Sequence, residues 1–333
     1  MSKVGSTAPR LLVLPGDGIG REVVEVTEGF IRALLPSAVI ETAPVGYGYW
    51  QQCGRSIDEE TIDLAKSCDG ILFGATATPS PPPPTYSSPI LTLRRRMGLF
   101  ANLRYCRKPG GGIDVVMLRE CSEGLYAGIE EAMEGGYRAI HQVTEAKTRR
   151  LARVAAEVAR KRRGDVTIVH KANVLRHTEG LFRQVCIDVL EEEGVAWNEV
   201  LSDAAGYYLV RDPGRFDVMA MPSHTGDLLS DVGAGVAGSL GYVPSLAIGD
   251  ATPLAEPIHG SAPDIAGKGL ADPTACLLSA SLLLDRIGCG AAAKTLADAV
   301  EAYLIERDPA AGVTTRGVAD AVMAHIKRPE CVS

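Results

Sequence analysis

The 333-residue chain has no apolar stretch near the ~18 residues that span a bilayer; its longest runs, near Leu11–Leu14 and Cys276–Leu284, have the length of buried strands and helices. Its first residues, Met1–Arg10, are polar and unlike a secretory leader, so a cytoplasmic protein with no membrane association is expected. There is no excess of positive charge either. Lys and Arg number 34 against 41 Asp and Glu, a net charge of −7, which argues against nucleic acid as a partner. The eight cysteines (Cys53, Cys68, Cys106, Cys121, Cys186, Cys276, Cys289 and Cys331) include no Cys-x-x-Cys pair and none at zinc spacing to a histidine, so buried or idle thiols are expected. Aromatic residues make up only 5%, too few for a typical β-sandwich.

What is present points to an α/β enzyme. Hydrophobic residues reach 46% and glycine 36 residues, suited to tight turns and close helix–sheet packing, and the length suggests two domains. An apolar strand at Leu11–Leu14 runs through Gly16-Asp17-Gly18-Ile19-Gly20 into a helical pattern over Arg21–Leu35. Further strands at Ala38–Pro44 and Gly70–Phe73 alternate with a helix near Asp58–Lys66, which implies a parallel sheet covered by helices. The segment Thr76–Pro89, with four consecutive prolines at Pro81–Pro84, must be a loop. A helix is expected over Leu91–Leu99, a strand at Asp114–Leu118, a hairpin or arm near Met133–His141 and a long helix over Thr144–Arg163. Strands at Asp165–Val169 and Phe216–Met219, a helix over Glu179–Glu192, a helix start at Asp227–Val236, a loop over Glu256–Ala271, and helices at Thr274–Ile287 and Ala291–Leu304 complete the pattern.

Several side chains carry chemistry. The glycines of the first turn are spaced i, i+2, i+4, not as Gly-x-Gly-x-x-Gly, and a turn that needs positive φ explains them as well as a nucleotide does. Asp227 and Asp231 fall one helical turn apart, suiting Mg2+ or Mn2+ or simply a helix start. Arg94, Arg104 and Arg119 recur in apolar surroundings and are forks for carboxylates, or solvated cations. Lys171 directly follows a strand, where side chains face the ligand crevice of a parallel sheet; it is a candidate base or an ordinary surface lysine. Tyr126 is a candidate acid or a core-edge aromatic.

In order, these blocks resemble the β-decarboxylating dehydrogenases: isocitrate, homoisocitrate and 3-isopropylmalate dehydrogenases. The resemblance rests on Leu14–Gly20, Leu93-Arg94, Leu99–Arg104, Leu118-Arg119-Glu120, Glu123–Tyr126, His170–Leu175, Gly226–Asp231, Gly238–Gly241 and Glu256–Gly269. It implies an isopropylmalate dehydrogenase-like α/β fold, distinct from the Rossmann fold, with two domains of parallel or mixed sheets flanked by helices. Residues 1–95 and 245–333 would form a discontinuous NAD-binding domain, and residues 96–244 a central domain with the dimer contact and arm.

The resemblance further implies that Arg94, Arg104 and Arg119 bind the carboxylates of a malate-type substrate and that Tyr126 acts at the carbon losing CO2. Lys171 and Asp203 would act across a homodimer or higher homo-oligomer with shared sites, and Asp203, Asp227 and Asp231 would hold Mg2+ or Mn2+. The cofactor would lie on Glu256, His259, Gly260, Ser261, Ala262, Asp264, Ile265 and Asp272. Asp264 stands where NADP users carry a lysine, so its charge favours NAD. The C3 side group would meet Ser88, Ile90 and Leu91: Ser88 matches isocitrate enzymes, whereas Ile90 and Leu91 suit an isopropyl group. Together with Glu123–Tyr126 and His170-Lys171 this leans towards an acidic side group. Other readings are 3-isopropylmalate, tartrate or malate, a phosphonate-type malate, and a non-catalytic regulatory subunit. The chain departs from the family pattern at Cys121, Ala204, Asp272, Tyr105-Cys106 and Met221-Pro222-Ser223-His224-Thr225.

Overall fold

A computed structural model describes residues 8–308 and 312–327; Cys331 lies outside them. In chain order the elements are β1 (Arg10–Gly16), α1 (Ile19–Leu34), β2 (Val39–Thr42), α2 (Tyr47–Cys53), α3 (Glu59–Ser67), β3 (Gly70–Ala75), α4 (Pro89–Arg96), β4 (Leu99–Arg107) and β5 (Asp114–Glu120). There follow β6 (Glu130–Met133), β7 (Gly136–Ala139), α5 (Glu145–Arg160), β8 (Asp165–His170), α6 (Thr178–Glu192), β9 (Ala196–Leu201) and α7 (Ser202–Arg211). The last are β10 (Val218–Met221), α8 (Ser223–Ala237), β11 (Pro244–Gly249), β12 (Leu254–Pro257), α9 (Thr274–Arg286), α10 (Gly290–Glu306) and α11 (Thr315–Lys327).

The chain divides into two compact units. The first gathers the described residues up to Met97, Pro244–Leu246 and those from Ala251 onward; the second gathers Gly98–Val243 and Ala247–Asp250. In the first, parallel strands run in the order β2-β1-β3-β12, with α1 packed on β1 and β3 and α9 on β12 and β3. Leu11, Leu12, Val13 and Leu14 are fully buried, as a strand covered on both faces requires. The turn after β1 is built on Gly16, whose φ of 77° suits glycine and whose Cβ, if present, would lie 2.0 Å from the Ala75 carbonyl oxygen.

In the second unit β4 runs antiparallel to β5, and β5, β10, β8 and β9 follow as parallel neighbours. Helices α5 and α8 pack on these strands, and β6 and β7 form a separate two-stranded arm. Among the described residues no helix is long and apolar enough to cross a membrane. Burial pushes the thiols of Cys106 and Cys276 up to about 12, keeping them protonated and inert.

Sequence and structure differ at several elements. The helix expected over Leu91–Leu99 ends at Arg96, because β4 begins at Leu99 and pairs with β5 from Ala101 opposite Glu120 to Arg107 opposite Asp114. Helix α8 begins at Ser223, four residues before the expected start, and β12 extends into the expected loop at Glu256–Ala271. Helices α2, α7 and α11 and strands β4, β9 and β11 lacked a recognised pattern: α2 buries no residue fully, and α7 buries only Ala205 and Leu209, so neither carries a complete apolar stripe.

One buried charge fastens the second unit. Asp217, with no exposure, accepts from Arg162 Nε at 2.8 Å and from the Arg163 backbone N–H at 2.9 Å, while Arg162 also donates to Asp114 at 2.9 Å. Replacing Asp217 by Ala leaves the Arg163 N–H without its acceptor and Arg162 with Asp114 alone, and should lower the unfolding free energy by about 1.5–3 kcal/mol. Urea denaturation measures this, and a loss below about 1 kcal/mol would remove the pair from the stability argument.

Candidate functional site

The parallel order of the second unit brings its chemistry to one sheet edge. Arg119 lies near the carboxyl end of β5, α8 with Asp227 follows β10, Lys171 follows β8, and Asp203 follows β9. Loops and helix starts at this edge face a ligand crevice in such sheets.

Two guanidinium groups meet at Asp227. Arg119, 2% exposed, donates to Asp227 Oδ1, and Arg104 donates to the same oxygen at 3.2 Å. Arg104 also donates to Ser230 Oγ at 2.7 Å, Asp231 Oδ1 at 2.9 Å and Asn102 Oδ1 at 3.2 Å. The Tyr126 hydroxyl donates to Asp227 Oδ2, and the Arg119 guanidinium lies 4.9 Å from the centre of the Tyr126 ring. Gly226 allows this approach: a Cβ there would sit 2.3 Å from Arg119 Cβ. Burial, then the hydrogen bond to Asp227, raises the Tyr126 pKa, so the phenol stays protonated at neutral pH.

A second pair stands apart from that cluster. Lys171 Nζ donates to Asp203 Oδ1 at 2.6 Å, which holds the Asp203 carboxyl below its usual range. The Lys171 backbone N–H donates to the buried Glu179, and the Ala172 N–H donates to His170 Nδ1 at 3.1 Å. Among the described residues no three metal-capable side chains gather, so Asp203 does not join Asp227 and Asp231 within one chain.

The remaining expected site residues lie in the first unit. Arg94, on α4, is ion-paired with Glu256 at 2.7 Å, both largely buried. Asp272 accepts from the Thr274 backbone N–H at 3.0 Å and from Arg307 at 3.2 Å, so its carboxylate closes the start of α9. His259 is half-buried, its Nε2 atom buried and without a partner among the described residues, and the Ser261 carbonyl accepts from the Ile19 N–H at 2.9 Å. Gly260 O lies 3.0 Å from His259 Nδ1, Ala262 has φ 37°, and the Ile265 N–H closes a turn on the Ala262 carbonyl at 3.1 Å. Asp264 is exposed at this turn. Ser88 precedes α4, on which Ile90 is half-buried and Leu91 exposed. Sequence reasoning missed Asn102, Ser230 and Glu179; Asn102, two residues before Arg104 on the same strand face, carried the one available signal.

The donor types suit the implied groups. Asp227 and Asp231 offer only oxygen, as a hard divalent cation requires, with Asp227 shared between two guanidinium groups. The segment His259–Ile265 offers an unpartnered buried imidazole nitrogen and an exposed carboxylate for a nucleotide.

The fold is shared with solved dehydrogenases. An isocitrate dehydrogenase from Methylococcus capsulatus matches with a TM-score of 0.90 and 31% identity, over 96% of this chain and all of that one. A β-decarboxylating dehydrogenase from Thermococcus kodakarensis matches with a TM-score of 0.87 and 38% identity, over 96% of each chain. By sequence, an isocitrate/homoisocitrate dehydrogenase of Thermus thermophilus is 39% identical over 96% of this chain and 99% of its own, and a 3-isopropylmalate dehydrogenase of Archaeoglobus fulgidus is 38% identical over 89% and 92%. The protein is therefore a decarboxylating dehydrogenase. Residues 10–325 match the isocitrate/isopropylmalate dehydrogenase profile, and the chain belongs to that family.

The edge carries a pH signature. Burial lowers the pKa of His170, so the folded state resists a proton that the unfolded chain takes up near the ordinary value of about 6.5. Its stabilising contribution is complete above that value and declines as pH falls towards the depressed folded pKa. Melting temperature should fall between pH 7 and pH 5, less steeply in His170→Gln; equal slopes would exclude His170 as a source.

Proposed function

We propose that the chain oxidises a 3-substituted malate bearing an acidic side group, using NAD and Mg2+ or Mn2+, and releases its β-carboxylate as CO2. The observation that carries this reading is the convergence of two buried arginines and a protonated tyrosine on one carboxylate at the carboxyl edge of parallel strands. Arg104 and Arg119 bind substrate carboxylates, and Arg94, supported by Glu256, is assigned the same task. Asp227 and Asp231, with Asp203 supplied across a homodimer, would hold the cation, which when bound polarises the new carbonyl so that it accepts the electrons released with CO2. Glu256, His259–Ala262, Asp264, Ile265 and Asp272 are assigned to NAD, whose nicotinamide supplies the hydride acceptor.

The chain's own groups manage the protons. The Lys171–Asp203 pair takes the hydroxyl proton of a substrate, and the Tyr126 phenol returns one to the carbon that has lost CO2. The dimer reading is supported by exposed apolar side chains on the second unit: Val174 beside Lys171, Tyr207 and Val210 on α7, and Leu228 on α8. One observation favours 3-isopropylmalate as the alternative, the apolar pair Ile90 and Leu91 on α4. The relatives bear both kinds of name.

The deciding assay follows NADH and CO2 together, with Mg2+, on isocitrate, homoisocitrate, 3-isopropylmalate, malate and tartrate. Wild-type protein should turn over an acidic-side-group malate with equal yields of NADH and CO2, and Lys171→Met should reduce kcat by about 10²-fold or more. Silence on all five substrates would point to a substrate outside this set, such as a phosphonate-type malate, or to a regulatory chain, and an active Lys171→Met would remove Lys171 from the proton path. Asp264→Lys should move the NAD/NADP preference towards NADP by at least about tenfold, corresponding to about 1.4 kcal/mol. An unchanged ratio would place the adenosine elsewhere.

A further inference from the structure

The proline-rich stretch Thr76–Pro89 is tied at both ends within the first unit. At its start, the Asp17 carboxylate, 7% exposed, accepts the N–H of Ala77 at 2.9 Å, and it also accepts those of Tyr47 at 2.7 Å and Gly48 at 2.8 Å. One buried carboxylate therefore holds both the loop's first turn and the first turn of α2. At the far end the Tyr86 ring stands edge-on to Tyr47, 5.8 Å away, and to Trp50, 6.1 Å away, and those two rings stack at 5.6 Å. The Tyr86 hydroxyl donates back to the Ala77 carbonyl at 2.9 Å, closing the loop on itself. The next carbonyl, of Ser87, accepts from Ser56 Oγ at 2.5 Å, and Ser56 is buried.

These contacts end where α4 begins. Ser88 is its N-cap residue and its carbonyl accepts the Thr92 N–H at 3.0 Å, so Ser88, Ile90 and Leu91 hang directly from the Tyr86–Ser87 anchor. The support is not core packing in the ordinary sense: α2 has seven residues and none is fully buried. Trp50 Nε1 has no partner among the described residues, so the indole serves through its faces. Between the anchors, Pro81–Pro84 have their φ fixed by their rings, which limits the positions the span can take.

We infer that the Tyr47–Trp50–Tyr86 cluster, anchored by Asp17 and Ser56, positions Ser88–Leu91 and thereby sets which C3 side group of a malate the enzyme accepts. This rests on the assignment of Ser88, Ile90 and Leu91 to that side group. Tyr86, Trp50 and Ser56 act as positioning residues: they hold the segment, and the segment meets the substrate. Discrimination between side groups depends on how firmly the wall that meets them is held. A loosened anchor should blur selectivity more than it lowers turnover of the better substrate.

The test compares kcat/KM for isocitrate and 3-isopropylmalate in the intact enzyme, reading their ratio in Tyr86→Ala, Tyr86→Phe, Ser56→Ala and Leu91→Ala. Tyr86→Ala should change the ratio by about tenfold or more, within the range hydrophobic discrimination spans, while Tyr86→Phe, which keeps the ring, stays near wild type. Ser56→Ala removes only the bond to Ser87; it should shift the ratio in the same direction and decides the question if Tyr86→Ala fails to fold. If Leu91→Ala alters the ratio but neither Tyr86→Ala nor Ser56→Ala does, the positioning role is overturned and the side-group assignment stands. If Leu91→Ala also leaves the ratio unchanged, the assignment falls and the positioning role with it.

Discussion

Arg119 is the constraint on which the second unit's site depends. A guanidinium only 2% exposed cannot be left without counter-charge, and Asp227 supplies it from one turn into α8. That requirement explains Gly226, since any side chain there would strike Arg119 Cβ. It also draws in Arg104, which balances Asp227 and Asp231 together and takes its orientation from Asn102 and Ser230. Two positive groups and two negative ones then close on a small volume beside a phenol kept protonated by burial. Such an arrangement has the chemistry to meet anions with its arginines and a hard cation with its carboxylates, with side chains already oriented.

The parts legible in the sequence were those in which local pattern and tertiary role agree. The apolar run of β1, the glycine turn and the amphipathic α1 read directly, because each element buries its own periodic face. Lys171 was legible for a topological reason: it follows an apolar strand at the end where parallel sheets bind ligands. Strand β4 was not, because Leu99–Arg107 continues without a break from a helical pattern and only pairing with β5 makes it extended. The same limit hid Glu179, whose carboxylate matters through a backbone N–H eight residues earlier, and Asp17, whose three donors come from residues 30 to 60 positions away. The ion pair of Arg94 with Glu256 spans 162 positions and joins residues to which the sequence assigned separate tasks, substrate and cofactor.

The strand order accounts for the division of the second unit's chemistry into two groups. Asp227 follows β10 and Arg119 lies on its neighbour β5, so they meet; Lys171 follows β8 and Asp203 follows β9, so they meet as well. Two strand steps lie between β10 and β9, and among the described residues no three metal-capable side chains gather, so Asp203 stays apart from Asp227 and Asp231 within one copy. One copy of the edge thus presents a cation-balanced carboxylate cluster and, beside it, a lysine–aspartate pair with its own charge balance. A second copy, docked through the apolar side chains of α7 and α8, would bring its lysine–aspartate pair to the first copy's cluster and so complete the proposed cation set. The homodimer is therefore part of the functional proposal itself, because the site it describes requires residues that a single strand order keeps apart.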